Sequence, residues 1–364
     1  MKYRVMMLGL ALVLALVGAA PALAAVDFQA ALDYLAAQQN ADGGYGSGFS
    51  PESTVGSTAD AVHAIVAGGG DFASFDQGGN TPLTYLAGNA AAVDNAGDLA
   101  KMIMALVAAG ENPRTFGGVD SVARLEGMAD ADGLFITTND TFFSHILAVL
   151  AMASVERPLP DGAVAAIVDA QQEGGAWSWD GTAGTDADTN TTAFAVQALI
   201  AAGEPADGQA ITLALDYYRS IQNADGGWPY QSPSSFGTDT DANSTAVTIQ
   251  ALIAAGQDPA AWTTDEGGDP VSTLDAFQNE SGAFAWQAAV PGDNLLATVQ
   301  ALPALAGQAF PLATMQVGEA AAAPAASAPA TVPETGGAVL ALALPLVLGG
   351  LSLAAGGLAL RRKQ

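Results

Sequence analysis

The stretch Asp188-Thr-Asn190-Thr-Thr-Ala-Phe-Ala-Val-Gln197-Ala-Leu-Ile-Ala-Ala-Gly203 returns 53 residues later as Asp241-Ala-Asn243-Ser-Thr-Ala-Val-Thr-Ile-Gln250-Ala-Leu-Ile-Ala-Ala-Gly256. Self-similarity at a fixed offset marks a repeat architecture, in which one supersecondary unit is stacked several times. A shorter copy surrounds Gln300, in Asn294-Leu-Leu-Ala-Thr-Val-Gln300-Ala-Leu. Thr58-Ala-Asp-Ala-Val-His63-Ala-Ile-Val-Ala carries His63 in the glutamine register, and two fainter copies put Met104 and Leu147 there. The six register positions are 41 to 53 residues apart, which suits one helical hairpin per unit.

Each copy opens with Asn, Asp, Ser or Thr, whose side chains accept hydrogen bonds from free backbone N–H groups at a helix start. The body is rich in Ala, Leu and Ile, and the clearest copies stop at Gly110, Gly203 and Gly256, suited to a left-handed helix end. These helices are apolar nearly all round, as a helix buried on most sides must be. A more amphipathic helix precedes each copy, over 27–39, 82–92, 119–128, 161–172, 209–222 and 270–278. Six buried and six half-exposed helices in alternation predict an all-α fold, an α/α toroid or (α/α)6 barrel of six helical hairpins. An open solenoid has the same local pattern but needs separate capping repeats.

The turns inside the hairpins repeat as well. Gln39-Asn-Ala-Asp-Gly-Gly-Tyr45 returns as Gln222-Asn-Ala-Asp-Gly-Gly-Trp228, with looser versions in Gln172 to Trp177 and Gln278 to Phe284. Asp-Gly-Gly permits the positive φ of a tight turn, the glutamine can satisfy backbone groups at a helix end, and the aromatic packs on the neighbouring hairpin. Leu35-x3-Gln39 to Tyr45 and Tyr218-x3-Gln222 to Trp228 resemble the QW repeats of squalene–hopene cyclases. The wider group is the prenyltransferase/squalene oxidase repeat family, and cobalamin carriers and complement thioester domains share its toroid. The resemblance covers about residues 26–308 and speaks for fold more than for activity.

The cyclases open one inner helix with a D-x-D-D-T-A motif whose middle aspartate protonates an alkene or epoxide. Aligned on Thr-Ala, this chain has Asp188 and Asp241 at the first position but Asn190 and Asn243 at that of the acid. An amide supplies no strong acid, so both asparagines read as helix-start residues and alkene cyclisation is disfavoured. Asp140, at the corresponding place in the third repeat, is the one weak candidate acid. With no cysteine in the chain, neither the prenyltransferase zinc site nor a thioester can be built. The two histidines are His63 and His145. Asp60 lies one helical turn before His63, which reads as a local His–Asp hydrogen bond or, less simply, as the base of a hydrolase for which no G-x-S-x-G elbow is present.

Asp186, Asp188 and Asn190, and again Asp239, Asp241 and Asn243, alternate oxygen ligands in a way that suits Ca²⁺, the only cofactor with any support. The plainer reading is an acidic loop ending in a helix cap. Trp177, Trp179, Trp228, Tyr230, Phe284 and Trp286 follow the turns and are candidates for one rim of a central cavity, or for packing between hairpins. His63, Gln197, Gln250 and Gln300 are candidates for polar groups inside it, or for helix-to-helix hydrogen bonds.

The ends read as addresses. Residues 1–24 combine Lys2 and Arg4, an apolar run and Ala22-Leu-Ala24, the pattern of a signal peptide cut by signal peptidase, with an uncleaved anchor as the alternative. The toroid is expected over 25–309, followed by an Ala/Pro/Ser-rich linker over 310–331. Residues 332–364 hold Val332-Pro-Glu-Thr335-Gly336, an apolar run from 338 to 360 and Arg361-Arg-Lys363. This order resembles a Gram-positive sorting signal cut by sortase between Thr335 and Gly336, with Val332 in place of the usual leucine. A plain transmembrane helix is the alternative, and both place the toroid outside the cell, on the wall or the outer membrane face.

All 37 acidic residues lie between Asp27 and Glu334, against five basic ones there, Lys101, Arg114, Arg124, Arg157 and Arg219. Nucleic acid is excluded as a partner, because phosphate binding needs clustered Lys and Arg. The favoured reading is a non-enzymatic surface protein whose toroid binds an apolar or amphipathic small molecule, or a surface protein. The alternatives are a lipid-modifying enzyme of cyclase kind with a displaced acid, and a cobalamin-type carrier.

Overall fold

The computed structural model describes residues 26–319 apart from Phe49 and Phe236. The predicted signal peptide and the sorting segment with Thr335 and Gly336 lie outside the described residues. Among the described residues no helix is long and apolar enough to cross a membrane.

Among the described residues twelve α-helices alternate between an outer and an inner ring. The outer helices are α1 (Phe28–Gln38), α3 (Pro82–Asn89), α5 (Ser121–Glu126), α7 (Ala163–Asp169), α9 (Gln209–Ile221) and α11 (Pro270–Asp275). The inner ones are α2 (Val55–Ala67), α4 (Ala96–Ala108), α6 (Phe142–Ser154), α8 (Thr189–Ala201), α10 (Ala242–Ala254) and α12 (Leu295–Leu305). Each inner helix packs on the next and α12 packs back on α2, so the inner ring is closed. The chain is an α/α toroid of six hairpins, as the repeats predict, and not an open solenoid. Two short hairpins are added, β1 (Tyr45–Ser47) with β2 (Ser50–Thr54) and β3 (Phe284–Gln287) with β4 (Val290–Asn294), both antiparallel.

The inner helices start and stop alike. Thr54, Asn95, Thr141, Asp188, Asp241 and Asn294 are their N-caps. At the other end, Gly110, Gly203 and Gly256 take φ of +80°, +97° and +69°. The next residue's N–H then reaches back to a carbonyl in the last turn, Glu111 to Leu106, Glu204 to Leu199 and Gln257 to Leu252.

The glutamines of the turns tie hairpin to hairpin. Gln39 Nε2 donates to Gly43 O in its own turn (2.9 Å) and to Phe75 O of the next unit (3.0 Å). Gln222 does the same with Gly226 O and Trp262 O, at 2.8 and 2.9 Å. In the fourth hairpin this role belongs to Gln171, which reaches Gly175 O and Ala210 O at 2.8 Å each, and not to the expected Gln172. Gln172 stands instead where Asn40 and Asn223 stand in their repeats, its amide bonded across the following loop to Thr182 O and Thr185 O. Gln278 closes the ring: its Oε1 accepts from Asp27 N–H at 2.8 Å and its Nε2 donates to Asp27 O at 2.9 Å.

Residues after 309 still pack on the toroid, with Val317 buried and Phe310, Ala313 and Met315 partly so. After α12 the chain returns along the end of the barrel where the inner helices stop. Met315 N–H donates to Ser154 O at 2.8 Å, and Arg157 Nη1 pairs with Glu319 at 2.8 Å.

Candidate functional site

Because the six inner helices share one cap geometry, residues a fixed distance after each cap form a level of the barrel. The level six residues after the caps is Asp60, Lys101, Leu147, Phe194, Val247 and Gln300, and all six line one cavity of about 400 Å³. That is the size of a small-molecule site. Nine residues after the caps stand His63, Met104, Leu150, Gln197, Gln250 and Pro303, of which His63, Met104, Gln250 and Pro303 line the same cavity. Leu147 and Gln300 therefore belong one turn nearer the mouth than the register read from the sequence. Asn190 and Phe143 face the cavity from the level two residues after the caps.

The base of the cavity is stopped by Phe310 from the returning tail. Its ring lies 4.8 Å from His63, edge on, and 5.8 Å from Phe194, nearly parallel. Gln197 Oε1 accepts the Phe310 N–H at 2.8 Å, and Gln197 Nε2 donates to Ala193 O, so this glutamine anchors the plug and does not line the cavity. The tail was beyond the reach of repeat analysis because it belongs to no repeat.

The mouth lies at the capped end. Trp179, Tyr230 and Trp286 are exposed there, and Trp179 and Tyr230 line the cavity. Tyr230 and Trp286 line an adjoining recess with Asn243. Trp177, Trp228 and Phe284, two residues earlier, are not rim residues but are wholly buried between hairpins. The indoles of Trp177 and Trp228 donate to Ile167 O and Tyr218 O at 2.6 and 2.9 Å.

Below the mouth, the polar groups of the cavity belong to Asp60, His63, Lys101, Gln250 and Gln300. Lys101 Nζ pairs with Asp60 at 2.8 Å. Asp60 therefore serves Lys101 and not His63, and the expected His–Asp hydrogen bond is absent. Neither ring nitrogen of His63 makes a well-formed hydrogen bond. Burial, with the Lys101 charge added, pushes His63 down to about 3, so its imidazole is neutral at physiological pH. Gln250 Nε2 donates to Gln300 O at 3.3 Å while its Oε1 is buried and unpartnered. Gln300 Oε1 accepts from Asn243 Nδ2 at 3.0 Å, and Asn190 Oδ1 is also unpartnered. Lys101 carried no signal in the repeats beyond being the one lysine on an inner helix.

The carboxylates are otherwise engaged. Asp140 accepts from Ala96 N–H and Gly97 N–H, at 3.0 and 3.1 Å, and from Thr137 N–H and Oγ1, capping α4 from the neighbouring unit. Partial burial raises its pKa, but these four bonds outweigh that and hold it below the usual carboxylate range, the reverse of what a proton donor needs. Nor does Asp140 line the cavity. Asp188 and Asp241 cap α8 and α10, accepting from Thr191 N–H at 2.7 Å and Ser244 N–H at 2.6 Å. Burial raises both, Asp188 to about 6. Of the calcium candidates, Asp188 and Asp241 are thus engaged as caps, ahead of which stand Asp186 and Asp239. Among the described residues no three of His, Cys, Asp and Glu come together in a way that could hold a metal.

Residues 120–292 match the squalene-hopene cyclase C-terminal domain, and residues 3–84 match the prenyltransferase alpha-alpha toroid domain. No curated protein matches the sequence. Among solved structures, the type II terpene cyclase MstE from Scytonema, as a variant in complex with merosterolic acid A (product), is 15% identical with a TM-score of 0.53. The alignment covers 77% of this chain and 95% of that one. Another variant of that enzyme, in complex with geranylgeranyl dihydroxybenzoate (substrate), is 14% identical over the same shares, with a TM-score of 0.53. A protein from Actinoplanes is 16% identical with a TM-score of 0.52, over 77% of this chain and 98% of that one. Likeness at this level is likeness of fold.

Proposed function

From a chain whose repeats match the squalene–hopene cyclase and prenyltransferase toroids, we propose a protein that holds an apolar or amphipathic isoprenoid-type molecule in its axial cavity without cyclising it. The observation that carries this reading is the convergence of six equivalent inner-helix residues on one cavity, stopped at its base by Phe310 and ringed at its mouth by Trp179 and Tyr230. A terpene cyclase of the same fold bound to a geranylgeranyl compound supports the ligand class. Against cyclisation stand Asn190 and Asn243 at the acid's place, Asp60 paired with Lys101, and Asp140 ionised and outside the cavity. The ends of the sequence support a place outside the cell, anchored to wall or membrane.

A second reading, a cyclase with a displaced acid, has one observation in its favour: Asp188 reaches the cavity, and burial keeps it protonated to about pH 6. That is still a weak acid for an alkene, and both its oxygens are bonded to Thr191. The test is native mass spectrometry of the intact chain after incubation with geranylgeraniol, followed by chromatography of the extracted ligand. A 1:1 complex returning unchanged ligand is expected. A new isomer of the same mass would establish cyclisation, and no complex at all would remove the binding reading.

A further inference from the structure

At the levels six and nine residues after the caps, the polar residues of the cavity are grouped on one side. Going round the ring, α10, α12, α2 and α4 are consecutive, and they present Gln250, Gln300, Asp60, His63 and Lys101. At those levels the remaining two inner helices present Leu147 and Phe194, with Phe310 below, while Asp188, Asn190 and Thr191 line the cavity nearer its mouth. On the polar arc, Gln250 Oε1 is unpartnered and His63 has only a poorly aligned contact with the Met104 backbone, which leaves at least one ring nitrogen free, in residues that are 1% and 2% exposed. Buried polar atoms are nearly always paired, so a group entering the cavity is the natural partner.

Resting on the binding reading above, we propose that the cavity selects an isoprenoid-type alcohol over both the corresponding hydrocarbon and the diphosphate, its hydroxyl held by His63 and Gln250. A hydroxyl donates one hydrogen bond and accepts others. A neutral imidazole offers one donor and one acceptor, and Gln250 Oε1 a further acceptor, so the complement is mutual. A diphosphate finds no such welcome. Lys101 is already matched by Asp60 at 2.8 Å. Arg114 and Arg157 are bound to acidic side chains, Arg124 to the carbonyls of Ala90 and Val93, and Arg219 lies over Trp262. Multiple phosphate charges need several cationic donors, which the cavity walls lack. A hydrocarbon fits the apolar side but leaves His63 and Gln250 unpaired, which weakens binding by about tenfold per group.

The test measures binding of geranylgeraniol, geranylgeranyl diphosphate and the matching C20 hydrocarbon to the full chain, by quenching of tryptophan fluorescence and by native mass spectrometry. The alcohol is expected to bind at least tenfold more tightly than either of the others. His63→Leu is expected to reduce the preference for the alcohol over the hydrocarbon about tenfold, and His63→Gln to restore part of it. A diphosphate that binds as well as the alcohol, or a hydrocarbon that matches it in the unmodified protein, overturns the proposal while leaving the cavity a binding site. Binding of none of the three overturns both. The ranking in the unmodified protein decides the matter even where a variant fails to fold.

Discussion

At Asp188 two demands meet in one carboxylate. As the cap of α8 it accepts from Thr191 N–H and Oγ1, at 2.7 and 2.8 Å, and these bonds favour the charged form. Burial opposes them more strongly, and the net effect raises the group from 3.8 to about 6. An acid with a higher pKa folded than unfolded holds more protons in the folded state between those values. Its contribution to stability therefore falls as pH rises from about 4 to 6. Asp188→Asn keeps a cap oxygen and removes the titration. We expect the melting temperature of the variant to fall less than that of the parent across this window. Parallel curves in thermal melts between pH 4 and 7 would show that Asp188 is ionised throughout. Asp241 is raised in the same sense, so the two effects add only where the caps are independent.

Helix ends were the most legible elements of this protein. Caps, apolar bodies and glycine stops gave all six inner helices, because capping chemistry is local and is written in adjacent residues. The third repeat keeps the stop geometry without the glycine: Glu156 takes φ of +51°, and Arg157 N–H still reaches Met152 O at 3.0 Å. A side chain in the left-handed region costs about 1–2 kcal/mol, partly offset by the greater freedom glycine loses on folding. Glu156→Gly should therefore stabilise the domain by roughly 0.5–1 kcal/mol, read as a rise in the midpoint of urea unfolding at unchanged slope. What adjacent residues do not encode was harder to read. The slip of Gln300 and Leu147 by one turn came from aligning apolar stretches in which any helical turn resembles the next. The true register shows only in the caps Asn294 and Thr141. The rim aromatics and the buried ones share a motif two residues apart, and only the packing of neighbouring hairpins distinguishes Trp179 from Trp177. The cavity's own polar members are set by which helix neighbours which, so the pairing of Lys101 with Asp60 was not legible.

For the molecule as a whole, closure and the stopped base have different origins. Closure rests on the packing of α12 on α2 in the inner ring and, in the outer ring, on the clasp of Gln278 with Asp27 and the tight seam where Gly282, at φ of +85°, passes against Ala30. Gln278→Ala removes the hydrogen bonds to Asp27 and to Gly282 O, so we expect a loss of about 1–3 kcal/mol. Hydrogen exchange should quicken first in α1, the helix the clasp holds, while uniform quickening would mean that the seam is not a separate weak point. The stopped base depends on residues after the last repeat. Phe310 fills the axis between His63 and Phe194 and is only partly buried, since one side of its ring borders the cavity. Phe310→Ala should therefore cost less than the roughly 3–5 kcal/mol of a fully buried phenylalanine, about 1–3 kcal/mol. It should also deepen the cavity along the barrel axis. If the plug sets ligand length, the variant gains affinity for a C30 alcohol relative to a C20 one, while the unmodified protein prefers the shorter chain. Equal preferences in the two proteins would show that the ligand stops above Phe310, and that the mouth and the level of Asp60 and Lys101 decide its length.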